Sequence, residues 1–114
     1  MTTLIDLLLE RKTQNAKYFK KPYYFAKIIK KEATKTLTNP KVYLFGSIVE
    51  EKAIPSSDID LLITSKNMPE IQEERAKIKA KLWKKIGLYS PFEIHMVNES
   101  EFQWYKHFAK LVEI

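Results

Sequence analysis

Apolar residues recur along the chain at two different spacings, and the spacing near the N-terminus is helical. Apolar positions three and four residues apart predict two helices, at residues 3–20 and 22–38. Pro22 separates these helices, and the pair Asn39-Pro40 ends the second one. The chain is therefore expected to begin with two helices that each turn an apolar side toward the rest of the protein.

Short apolar runs later in the chain have the length and residue types of β-strands. They are rich in Val, Ile, Leu and Phe, and they cover residues 42–45, 59–64 and 92–97. A short helix or loop is predicted for residues 47–57, between the first two runs.

Two further helices are predicted from their end signals. A helix rich in Lys and Glu begins at Pro69 and closes at Gly87. Asn98, with Glu101 three residues later, has the form of a capping box and predicts a last helix at 99–111.

The order of these elements, ααβαβαβα, predicts an α/β (α+β) fold in which a small mixed sheet is covered by helices. We expect a single domain at residues 1–114, since 114 residues that are 45% hydrophobic can form one core. Its parts are the N-terminal helices (3–38), a core that carries the motifs (40–98) and the C-terminal helix (99–111).

Composition narrows the class of protein further. The chain has no cysteine, which excludes a disulfide framework and a thiolate metal site and fits a reducing cytoplasm. Its N-terminus lacks the basic start of a signal peptide, and no apolar run reaches the ~20 residues of a membrane span. The net charge of +6 fits either a solvated lysine surface or a surface that binds polyanions.

Two of the three aspartates, Asp58 and Asp60, lie two positions apart at the predicted second strand. Residues at this spacing share a strand face, whereas Ile59 and Leu61 face the core. Two carboxylates on one face repel each other unless a cation lies between them. The pair therefore predicts a divalent metal site that could align a hydroxyl group with a nucleotide phosphate.

Glu93 is the candidate for a third carboxylate, because a glutamate inside an apolar strand needs a reason. His95 shares its strand face, although a structural role for this histidine is the simpler interpretation. The alternative for Glu93 is a solvated position on an edge strand.

Gly46-Ser47 directly follows the first predicted strand, and ten residues then separate it from Asp58. Glycine allows the backbone to approach a phosphate closely, and a hydroxyl group can bind it. A Gly-Ser pair alone indicates only a turn. Its combination with Asp-x-Asp in a second apolar run would rarely occur by chance.

The stretch from Val42 to Ser47, followed by the stretch from Ser57 to Ile63, resembles the minimal nucleotidyltransferase (MNT) domains of the DNA polymerase beta superfamily. The resemblance covers residues 23–110 and implies transfer of a nucleoside monophosphate from an NTP, with ATP as the expected donor. It also implies two Mg²⁺ ions, with Mn²⁺ as an alternative.

The same resemblance assigns roles to individual residues. It implies that Gly46, Ser47 and Ser57 bind the nucleotide, whereas Asp58, Asp60 and Glu93 are catalytic and bind metal. Relatives commonly pair with HEPN-domain proteins in toxin–antitoxin modules, where the nucleotidyltransferase is the antitoxin.

The chain departs from the family pattern in two places. Many relatives carry an arginine and a glycine just after Gly-Ser, whereas the matching stretch here, residues 48–52, contains the two acids Glu50 and Glu51. The third carboxylate is Glu93 instead of an aspartate. These departures leave three hypotheses. They are an active nucleotidyltransferase, an antitoxin-type module that binds a HEPN-domain partner with little catalysis, and a nucleic-acid-binding protein. The third is least favoured, because phosphates repel the carboxylates.

Overall fold

The computed structural model describes residues 3–53 and 58–114. Over these ranges, helices and strands follow one another in the order α1 (Leu4–Lys20), α2 (Pro22–Ala33), β1 (Lys41–Phe45), β2 (Ile59–Thr64), α3 (Gln72–Ile86), β3 (Phe92–Val97), α4 (Glu99–Phe108) and β4 (Val112–Glu113). A single 3₁₀ turn, Gly46–Ile48, directly follows β1.

The strands form one mixed sheet in the spatial order β3-β2-β1-β4. β1 is antiparallel to β2 and β4, whereas β2 and β3 are parallel. The predicted α/β (α+β) class, a small mixed sheet covered by helices, is confirmed. The parallel register places Asp60 directly beside Glu93.

The sheet is packed on both faces, which explains why every residue of β2 except Asp60 is buried. Ile59, Leu61 and Ile63 are fully buried on the face that α2 and α3 cover. Leu62 lies on the opposite face, in a smaller cluster with Phe102 of α4. Residues 60, 93 and 95 therefore belong to the α4 face.

Helix α1 is tied to the rest of the fold through Tyr18, near its C-terminal end. Its start is fixed by a capping box, in which the Thr3 side chain accepts a hydrogen bond from the Asp6 N–H and the Asp6 carboxylate accepts one from the Thr3 N–H. Tyr18 is buried, and its hydroxyl group donates to the Ile86 carbonyl at 2.6 Å.

None of the helices in the described ranges is long and apolar enough to span a membrane.

The predicted strands at 59–64 and 92–97 are confirmed at both ends, whereas the predicted helix ends were less accurate. α2 ends at Ala33 instead of 38, where the Thr34 hydroxyl group donates to the Lys31 carbonyl and so competes with helical hydrogen bonding. α3 begins at Gln72, three residues after Pro69, because the extended Ile71 precedes it.

The predicted last helix, 99–111, is also too long. α4 ends at Phe108 because the chain becomes extended at Ala109 and then adds β4 to the edge of β1. The Ile114 N–H donates to the Val42 carbonyl at 2.8 Å, which ties the C-terminus to the sheet. This short strand was not predicted.

Candidate functional site

Gly46 ends β1 and brings the backbone against Asp60. Its φ of +78° is a left-handed conformation that other residues adopt only at a cost. A Cβ atom at this position would lie 2.5 Å from Asp60 Oδ2, too close for any side chain. Glycine is therefore required here both by the turn and by the neighbouring carboxylate.

A cluster of three ligand-type side chains lies on the adjacent strands. Asp60 is on β2, and Glu93 and His95 are on β3. His95 Nε2 is 3.3 Å from Asp60 Oδ1 and 3.9 Å from Glu93 Oε1. One ligand atom from each of the three residues lies within 4.8 Å of the others. Parallel pairing of β2 and β3 is what brings these side chains together.

The cluster is open to solvent on one side. The side chains of Asp60 and His95 are 26% exposed, and that of Glu93 is 52% exposed. β3 is an edge strand, so the Glu93 side chain is solvated. Glu93 also lies in the cluster with Asp60 and His95, and its role as a metal ligand stays a prediction. A substrate can therefore reach these groups from solvent.

Aromatic rings form the inner wall of the cluster. The His95 ring is 5.3 Å from the ring of Phe45 and 6.1 Å from that of Tyr105, measured between centroids. Burial raises the pKa of Tyr105, and the carboxylates of Glu101, Asp60 and Glu93 raise it further. The Tyr105 hydroxyl group therefore stays protonated and can donate a hydrogen bond near the cluster.

The donor set and its spacing fit a divalent cation. Two ligands about 2.1 Å from one ion are about 3.0 Å apart at a right angle and about 4.2 Å apart on opposite sides. The distances from His95 to Asp60 and Glu93 lie between these limits. Carboxylates suit Mg²⁺ and Mn²⁺, whereas an imidazole suits the later transition metals, so this set of ligand types is compatible with either kind of ion.

The other residues predicted for the site are Asp58, Ser47 and Ser57. Asp58 is exposed and directly precedes β2, and it is outside the cluster of Asp60, Glu93 and His95. Its metal role stays a prediction. Ser47 lies in the turn after Gly46, where its carbonyl accepts from the Lys52 N–H. Ser57 lies outside the described residues.

His95 and Tyr105 are members of the site that the sequence did not identify as such. Strand alternation placed His95 on the Glu93 face, but only the register with β2 shows that it meets Asp60. Tyr105 carried no signal in the sequence, because its position depends on how α4 packs against the sheet.

Comparison with known proteins gives one family. The family model described as 'Nucleotidyltransferase domain' matches residues 23–113, which is most of the chain. A search of curated proteins finds no match. Two similar crystal structures are described as putative nucleotidyltransferases, and both have a TM-score of 0.57.

The first of these structures is 32% identical and covers 77% of this chain and 90% of its own. The second, from Sulfolobus solfataricus, is 22% identical and covers 90% of this chain and 83% of its own, and this identity supports the fold alone. These matches confirm the resemblance to the MNT domains of the polymerase beta superfamily. The chain belongs to the nucleotidyltransferase domain family.

Proposed function

We propose that the protein transfers a nucleoside monophosphate from an NTP, in the first instance ATP, to a hydroxyl group of an acceptor such as a partner protein. One observation carries this proposal. The backbone at Gly46 lies directly against Asp60, which in turn is grouped with Glu93 and His95. Phosphate-binding backbone and metal ligands are thus adjacent, as nucleotidyl transfer requires.

The reaction exchanges one bond to phosphorus for another. The acceptor oxygen attacks the α-phosphorus, a new P–O bond forms, and the bond to pyrophosphate breaks with its electron pair leaving on pyrophosphate. The acceptor proton passes to the Glu93 carboxylate, whose 52% exposure makes it accessible to an acceptor from solvent. Bound Mg²⁺ or Mn²⁺, two ions in the family's scheme, would neutralise the charge that develops on the phosphate oxygens.

The residues of the proposed site fall into two groups, those that hold the metal and the acceptor and those that hold the nucleotide phosphates. Asp60 and Glu93, supported by His95, hold the metal and the acceptor. Gly46 and Ser47 hold the phosphates through the backbone of their turn, which the absence of a side chain at Gly46 allows to lie against Asp60. The exposed Asp58 is suited to a second ion that arrives with the nucleotide, since Mg²⁺ often binds through a few carboxylates plus substrate phosphates.

A second candidate function is that of a binding module, an antitoxin that neutralises a HEPN-domain partner with little catalysis. The observation that favours it is the apolar first half of α1. Leu4, Ile5 and Leu7 are 72%, 69% and 53% exposed, and α1 precedes the residues that the family model matches. Apolar surface of this kind is typical of protein-binding sites.

Labelled ATP separates the two functions. The protein is incubated with Mg²⁺ and with ATP labelled at either the α- or the γ-phosphate. The candidate acceptor in this incubation is the protein encoded by the adjacent gene. Transferase activity predicts that the acceptor gains label from α-labelled ATP alone, and that Asp60→Asn abolishes it. A stable complex whose partner stays unlabelled would contradict transfer to that protein and favour the binding module.

A further inference from the structure

A cavity lies between the turn at Gly46 and the C-terminal half of α4. Its volume is about 370 Å³, near the lower end of the range of about 300–1,000 Å³ for small-molecule sites. Phe45 and Gly46 form one wall, and Trp104, Tyr105 and Phe108 form the other. This volume suits a base with its ribose and leaves the phosphates outside.

Two aromatic rings of this cavity are exposed although they are large and apolar. Trp104 is 58% exposed and Phe108 is 72% exposed, and their ring centroids are 4.8 Å apart. Because they are four residues apart on α4, they lie on the same side of the helix. Flat, exposed rings of this kind are typical of surfaces on which nucleobases stack.

Two charged side chains complete the lining. Glu50 and Lys110 both border the cavity. A carboxylate only accepts hydrogen bonds and an ammonium group only donates them. Adenine, cytosine and guanine each carry an exocyclic amine, and uracil lacks this donor. The lining therefore favours a base with an amine, which would give Glu50 a function other than repelling phosphates.

Two residues of the cavity lining also border the proposed reaction site. Gly46 belongs both to the cavity and to the turn that lies against Asp60. Tyr105 borders the cavity and also flanks the imidazole of His95. A nucleotide whose base enters the cavity would thus have its phosphates beside the metal ligands.

We propose that this cavity binds the base of the NTP donor. Trp104 and Phe108 stack on the base, and Glu50 accepts a hydrogen bond from its exocyclic amine. This inference rests on the proposed function, because it assigns the base-binding part of the same nucleotide site.

The test compares a ligand that has a base with one that has none. Calorimetry in Mg²⁺ measures binding of non-hydrolysable α,β-methylene-ATP and of inorganic tripolyphosphate. We expect the wild type to bind the nucleotide about tenfold more tightly than tripolyphosphate. Trp104→Leu, which keeps apolar volume but removes the flat ring, should lose most of this difference and leave tripolyphosphate binding unchanged.

Two controls sharpen the comparison. Tyr24→Ala removes another exposed aromatic side chain, from α2 on the opposite face of the sheet, and should leave the binding of both ligands unchanged. Glu50→Gln should reduce the preference for α,β-methylene-ATP over its uridine counterpart, because a neutral amide accepts the amine less strongly.

Fluorescence supplies an independent readout, since Trp83 and Trp104 are the two tryptophans of the chain. The indole of Trp83 is held by a 3.0 Å hydrogen bond to the Phe92 carbonyl. Nucleotide should quench the wild type and not Trp104→Leu. Equal binding of nucleotide and tripolyphosphate, unchanged in Trp104→Leu, would overturn the base site and leave the proposed transfer intact. Failure of the protein to bind either ligand would overturn both.

Discussion

Replacing Gly46 with alanine tests whether its turn and the proposed metal site at Asp60, Glu93 and His95 form one structural unit. Adding a Cβ atom at a φ of +78° costs about 1–2 kcal/mol in backbone strain. For a domain of this size, about 1 kcal/mol lowers the melting temperature by about 4 °C, so we expect a decrease of about 4–8 °C.

The same substitution should displace Asp60, the proposed metal ligand. The new Cβ atom would be 2.5 Å from Asp60 Oδ2, so the two must separate by about 0.9 Å to reach the 3.4 Å of ordinary contact. Shifting one ligand of a three-ligand site by this distance should weaken Mn²⁺ binding about tenfold or more, as loss of supporting contacts does in other metal sites.

The other glycine of the chain supplies a matched control. Gly87 also has a positive φ, of +121°, but a Cβ atom there would approach the Tyr18 hydroxyl group at 2.6 Å. Gly87→Ala should therefore lower the melting temperature and leave metal affinity unchanged. The assays are thermal unfolding and calorimetry with Mn²⁺. Wild-type Mn²⁺ affinity in Gly46→Ala would refute the coupling between the turn and Asp60.

Three further substitutions test separate parts of the site and fold. In calorimetry without nucleotide, Asp60→Asn should weaken Mn²⁺ binding, whereas Asp58→Asn should have little effect, because Asp58 lies outside the cluster. Equal losses of Mn²⁺ affinity in the two variants would contradict this difference. His95→Gln should weaken Co²⁺ binding about tenfold, measured by visible absorption, and change Mg²⁺ binding less, because imidazole favours later metals. A hydrogen bond from the Asn98 N–H holds the pKa of Glu101 below its usual range. Glu101→Gln should therefore lower the melting temperature at pH 7, and the difference should vanish as the pH falls through the lowered pKa; a constant difference would count against this role.

The sequence predicted the central strands well because each is a short, mostly apolar run of strand-favouring residues. In β2 every residue except Asp60 is buried, as expected for a strand that is covered on both faces. The two residues of β4 are too few for any pattern, and their pairing with β1 depends on distant parts of the chain. Helix ends were overextended where threonines or an extended residue compete with the helix.

The candidate site was predictable only in part, for a related reason. Spacing along one strand identified Asp60, and the alternation of β3 identified Glu93 and the shared face of His95. The contact between His95 and Asp60 depends on register between strands that are more than thirty residues apart in sequence. Asp58 follows the strand spacing but precedes the first residue of β2, where alternation no longer fixes its direction.

The proposed function depends most directly on where metal and triphosphate bind. A crystal structure with Mn²⁺ and α,β-methylene-ATP, using the anomalous signal of manganese, would locate both. We expect an anomalous peak among Asp60, Glu93 and His95, with the α-phosphate beside it and the remaining phosphates along the turn at Gly46. A well-bound nucleotide whose phosphates lie away from Asp60, with no manganese at the cluster, would contradict the account.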